Sequence, residues 1–135
     1  MDKTLIKNYD YTDVVHHNYK YKLKTEQSAM TDITGLEIND NFFILDTNGI
    51  LVVRRGYCWN GSSGPTWDTP STMRASLFHD ALYQMMREKL ISLDWRYISD
   101  KLYYKMCIED GMWRWRAWLH YKAVRAFGES SARPA

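Results

Sequence analysis

Thr69-Pro70-Ser71-Thr72-Met73-Arg74-Ala75-Ser76-Leu77-Phe78-His79-Asp80-Ala81-Leu82-Tyr83-Gln84-Met85-Met86 is the stretch in which the chain changes period. Met73, Leu77, Ala81 and Met85 recur every four residues, and Phe78, Leu82 and Met86 form the adjacent row. That pattern makes one broad apolar helix face. Thr69 supplies an N-cap oxygen, and Pro70 a preset φ at the first helical position. A helix is predicted to start here.

Upstream the period is two. Tyr19, Tyr21 and Leu23 alternate with Lys20, Lys22 and Lys24, as on a strand with one aromatic and one solvated face. Phe42–Asp46, Thr47-Asn48-Gly49 and Ile50–Arg55 read as a hairpin, because Asn-Gly between apolar runs supplies the positive φ of a tight turn. Residues 59–70, rich in Gly, Ser and Pro, read as a loop. Downstream, a second helix is expected from near Ser92 to before Gly111, with Trp95, Ile98, Leu102 and Met106 inward. A third is expected from about Trp113 to Phe127, stopped by Gly128 in the left-handed cap conformation and followed by a frayed tail. The fold class is α+β: N-terminal antiparallel strands with a β-hairpin, then three C-terminal helices. All of this fits one domain, with residues 1–58 β-rich and residues 71–128 helical.

Composition narrows the function classes. The 135 residues are 45% apolar and 25% charged, which is globular rather than disordered. A net charge of +2 gives no argument for nucleic acid. No apolar run approaches the ~20 residues of a membrane helix, and the N-terminus lacks a signal-peptide core. Cys58 and Cys107 form neither a disulfide framework nor a zinc set, and two reduced thiols are expected. His16-His17 near Asp13 reads as a solvated pair. The aromatic content is high, with 10 Tyr, 6 Trp and 4 Phe, and every Trp lies in the more basic half after residue 58.

The cluster with chemical content is Phe78-His79-Asp80-Ala81-Leu82-Tyr83, followed by Asp100. His79 and Tyr83 share a helix face, while Asp80 points about a third of a turn away. A helical hairpin turning near Ile91 brings Asp100 alongside, offset from His79 by about 6 Å along the axis. If that offset closes, Asp100 accepts the proton of one imidazole nitrogen, and the other nitrogen is free to take a proton from water. Asp80 would then be available for a hard cation, with carbonyls near Trp59–Ser63 as further ligands. The same residues also suit a buried network that ties the helices together. Both readings stand at this stage.

Gly56-Tyr57-Cys58-Trp59-Asn60-Gly61-Ser62-Ser63-Gly64-Pro65 and Met73 to Tyr83 resemble a bacteriophage family catalogued as domain of unknown function thirteen-fifty-three. Asp100-Lys101-Leu102-Tyr103-Tyr104, Glu109-Asp110-Gly111-Met112 and Tyr121 to Gly128 extend the resemblance over most of the chain. It implies a phage or prophage origin and brings no activity with it. The expectation is a virion-associated protein (tail, baseplate or DNA-ejection apparatus) or a late-expressed one, in the virion or the host cytoplasm. Its partners would be other phage structural proteins or the host envelope, rather than nucleic acid. An intracellular binder of a host factor is a further alternative.

The His-Asp-x-x-Tyr helix and the later Asp are also similar to the catalytic helices of phospholipase A2, chiefly its short bacterial branch. That similarity implies a helical hairpin in which His79 activates water, Asp100 orients His79 and Tyr83 supports both. Calcium would be held by Asp80 with Trp59, Asn60 and Gly61. Asn60 stands where related sequences place a carboxylate, and the disulfides of the secreted enzymes are missing. On the third helix, Arg114, Trp118, Tyr121 and Arg125 form one stripe at i, i+4, i+7 and i+11, a candidate interaction surface or an aromatic cover for the sheet.

Overall fold

The computed structural model describes residues 11–13, 21–60 and 69–134, the first three by their backbone alone. The α+β class is as the periodicities indicate: antiparallel strands first, then helices. The chain groups into two compact units, residues 7–60 and residues 61–135 with the first six. Tyr19, His16, His17 and Gly61 lie outside the described residues, as does the body of the loop at 61–68.

The first unit holds two antiparallel sheets. β1 (Tyr11–Asp13), β2 (Tyr21–Leu23) and β7 (Cys58–Trp59) form one, in the order β1-β2-β7. β3 (Gln27–Met30), β4 (Ile38–Asn39), β5 (Phe43–Leu45) and β6 (Ile50–Val53) form the other, in the order β3-β6-β5-β4. The hairpin falls where Asn48-Gly49 places it, with Leu45 opposite Leu51 and Phe43 opposite Val53. Asp46 builds the turn: its Oδ1 accepts from the backbone N–H of Asn48 at 3.0 Å and of Ile50 at 2.9 Å. Gly49 sits at φ +95°, and a Cβ there would lie 2.4 Å from the Thr31 carbonyl oxygen, so two requirements select glycine.

Four elements depart from the sequence reading. Trp59 belongs to a strand rather than to the loop, because it pairs with Tyr21 across β2 and β7. β3 and β4 have no apolar alternation to announce them, and pairing with β6 and β5 holds them. The tail is ordered: residues Glu129–Ala132 form a short helix, α4, with Ala132 fully buried and the Ser131 carbonyl accepting from Arg87 at 2.6 Å. Gly128 is right-handed (φ −86°), so the chain turns onward instead of stopping. Its missing Cβ serves packing, since one would lie 2.5 Å from the Val124 carbonyl oxygen and 2.8 Å from the Tyr83 hydroxyl.

In the second unit α1 (Pro70–Arg87) begins at Thr69, whose backbone N–H donates to the Thr72 hydroxyl at 2.8 Å. The whole predicted apolar face of α1 is buried. Arg74 lies buried on the same helix and is paired in two bonds with Asp110 (3.0 and 3.1 Å) and in one with Glu109 (2.8 Å). Burial alone would lower its pKa, but these carboxylates hold it above the ordinary arginine value. After α1, Lys89 takes φ +64°, and a 3₁₀ turn at Leu93–Trp95 leads into α2 (Arg96–Glu109). α2 ends at Gly111 with φ +105°, the conformation the sequence reading assigned to Gly128.

The inward face of α2 also differs from expectation. Leu102 and Met106 are buried, yet Trp95 and Ile98 are only half-buried, and Arg96, Ser99 and Asp100 lie inside instead. The helix is rotated toward its polar residues because they find partners on α1 and on α3 (Arg114–Phe127). α3 presents Ala117, His120, Ala123 and Val124 inward.

Candidate active site

α1 places His79 and Tyr83 one turn apart, with ring centroids 4.1 Å from each other. The hairpin closes the axial offset to Asp100. His79 Nε2 lies 2.6 Å from Asp100 Oδ1, and the Tyr83 hydroxyl donates to the same oxygen at 2.6 Å. Arg125, from α3, donates to the other oxygen, Oδ2, at 2.8 Å. Arg96 stands one turn before Asp100 with its Nε 3.9 Å from Oδ2.

Asp100 is 0% exposed, and a bare carboxylate there would cost several kcal/mol. Burial pushes its carboxyl pKa up. The hydrogen bond and charge of His79, then Tyr83 and Arg125, outweigh burial and hold it below the ordinary carboxylate range. Asp100 is therefore an ionised acceptor, and this settles the tautomer of its neighbour. Nε2 of His79 must carry the hydrogen, and in the neutral form of the ring the lone pair is on Nδ1. Among the described residues nothing is hydrogen-bonded to Nδ1.

Tyr83 is locked as a neutral donor. Burial, and then the hydrogen bond and charge of Asp100, raise its pKa far above the ordinary value despite the opposing pull of Arg96. Arg96 Nε donates to the Tyr83 hydroxyl at 3.0 Å. Its Nη2 donates at 2.8 Å to the carbonyls of both Val124 and Arg125, capping the last turn of α3. The clamp thus joins α1, α2 and α3 around one anion. Beyond it, Tyr103 meets His79 edge-on at 5.1 Å, and its hydroxyl lies 3.2 Å from Nδ1 of buried His120. Burial, with nearby Arg116, lowers the pKa of His120, and the residue sits in the core.

Asp80 is half-buried on α1. Trp59 is buried within its own unit, with its ring 5.3 Å from Tyr21, and Asn60 is exposed. Gly61 is outside the described residues. No group of three or more His, Cys, Asp or Glu side chains is placed to hold a metal among the described residues. Asp80 is the one carboxylate of the proposed set, so the described side chains do not by themselves fit a calcium site. The α3 stripe divides: Arg114 and Trp118 are exposed, Tyr121 is half-buried against Tyr104, and Arg125 turns to Asp100.

Sequence reasoning missed Arg96 and set Arg125 on the α3 stripe rather than beside Asp100. Arg96 had a signal, since it stands at i−4 from Asp100 on the same helix. Arg125, twenty-five residues on, had none. Both cysteines are free, and burial first of all pushes the Cys107 thiol up to about 12, which makes it inert. Comparison with protein-family models, with curated proteins and with solved structures returns no match for this chain.

Proposed function

We propose that the chain is a phage-encoded hydrolase that uses His79 and Asp100 to activate water against an ester. The supporting observation is the 2.6 Å bond from His79 Nε2 to a fully buried, ionised Asp100, which directs the basic lone pair to Nδ1. Nδ1 takes one proton from water while the water oxygen forms its bond to the ester carbonyl carbon. The same proton then passes from Nδ1 to the departing alkoxide as the ester C–O bond breaks. Asp100 stabilises the imidazolium between the two steps. Tyr83 and Arg125 are positioning residues that keep Asp100 ionised and aligned.

The test is hydrolysis of phospholipid and simple esters, with and without added calcium. His79→Ala is expected to lose about 10²–10⁴-fold in rate with its circular dichroism unchanged. Equal rates in wild type and His79→Ala end this reading. Calcium stimulation that is lost in Asp80→Asn would assign the cation to Asp80.

A second reading is a virion contact protein without catalysis. It is supported by the large apolar side chains that α3 leaves in water, Trp113, Trp115, Trp118 and Leu119. Mass spectrometry of purified particles tests it, and detection only in infected cytoplasm would sink it.

A further inference from the structure

α3 is built inside out for a helix that only covers a core. Its inward positions are held mainly by small residues, Ala117, Ala123 and Val124, with His120 among them. Trp115, Trp118, Leu119 and Lys122 recur at i, i+3, i+4 and i+7, which is an amphipathic stripe, and all four are exposed. Trp113, just before the helix, adds a third indole, with its ring 6.3 Å from that of Trp115. These indoles are 71%, 60% and 51% exposed for Trp113, Trp115 and Trp118, and Leu119 is 50% exposed. Isolated apolar side chains on a surface are ordinary. Three tryptophans within six residues, two on one helical face and the third beside them, are not.

The charge around this stripe is of one sign. α3 contains Arg114, Arg116, Lys122 and Arg125 and no Asp or Glu. Lys122 lies over the Trp118 ring at 5.6 Å, and Lys101 of α2 over the Tyr121 ring at 5.9 Å. The carboxylates just before α3, Glu109 and Asp110, are both paired with Arg74. At about 150–250 Å² per aromatic side chain, the exposed indoles amount to roughly 400 Å². Indoles flanked by lysine and arginine match the polar–apolar boundary of a bilayer with anionic headgroups.

We infer that the outer face of α3 docks on an anionic lipid surface, with Trp113, Trp115, Trp118 and Leu119 entering the headgroup boundary and Arg114 and Lys122 meeting lipid phosphates. This names the partner of the contact reading and rests on it only in using the same face. The two fail separately: a chain found in particles that ignores lipid breaks this inference alone. It is also independent of His79.

The experiment is co-sedimentation of the full chain with vesicles of phosphatidylcholine alone and of phosphatidylcholine mixed with phosphatidylglycerol. Binding to the anionic vesicles is expected at about millimolar lipid or below, at least about tenfold tighter than to the neutral ones. The double variant Trp115→Ala, Trp118→Ala is expected to weaken it by at least about tenfold while keeping its melting temperature. Arg114→Gln and Lys122→Gln together are expected to remove the anionic preference, as is salt raised to about 0.5 M. Three results overturn the inference: no sedimentation with anionic vesicles, binding undiminished in the tryptophan variant, or concentration-dependent dimerisation that this variant abolishes.

Discussion

The seam between α1 and α2 and the outer face of α3 invert the usual partition of residues. The seam buries Arg74, Arg96, Asp100 and Asp110, while the outer face leaves three tryptophans in water. Each departure has its own physical terms. Charges inside are tolerated because Arg74, Asp100 and Asp110 have opposite partners within hydrogen-bond distance, while Arg96 donates to the Tyr83 hydroxyl and to the carbonyls of Val124 and Arg125. Indoles stand outside because the inward positions of α3 are taken by Ala117, His120, Ala123 and Val124.

The sharpest way to break the comparison is Asp100→Ala. It strands Arg125 and leaves His79 and Tyr83 without their acceptor, so a loss of about 3–5 kcal/mol in urea unfolding is expected. A loss under about 1 kcal/mol would mean that the clamp is not what holds the seam. Acid titration sharpens the same point more gently. Because the folded-state pKa of Asp100 is depressed, its contribution is fully present above the unfolded value near 4 and is lost as pH falls through the lower folded value. Wild type should therefore lose stability below about pH 4 more steeply than Asp100→Asn, measured as the denaturation midpoint against pH.

Gly128→Ala comes next. Its Cβ would press on the Val124 carbonyl and the Tyr83 hydroxyl, so about 1–3 kcal/mol is expected, together with a slower hydrolase if the clamp positions His79. The smallest effect belongs to the outer face. Trp115→Ala and Trp118→Ala should each shift stability by no more than about 0.5 kcal/mol. A loss above about 2 kcal/mol at either would show that the indole is part of the core and not a free surface.

Legibility in the sequence followed the range of the interaction. The hairpin at Asn48-Gly49 and the start of α1 at Thr69-Pro70 were readable because their causes lie within a few residues: a positive φ, a cap, a preset φ. The pair His79 and Asp100 was readable as a candidate, since helical spacing and one turn bring them close. Trp59 was read as loop because a two-residue strand has no period, and its pairing partner Tyr21 is far away in sequence. Gly128 was assigned the left-handed cap because glycine after a helix has two explanations, backbone freedom and close approach. Here the second applies.

Local pattern by itself thus determined the α+β order, the hairpin, the α1 face and the His/Asp candidates, each through torsional preference or periodicity. Only the tertiary structure decided which nitrogen of His79 is basic, that Arg96 and Arg125 hold Asp100, and which face of α3 remains in water. The reason is physical. A buried charge is tolerable only when partners from other elements surround it, and those partners come from residues 79 to 125 of the chain. No periodicity over such separations signals which of them will meet.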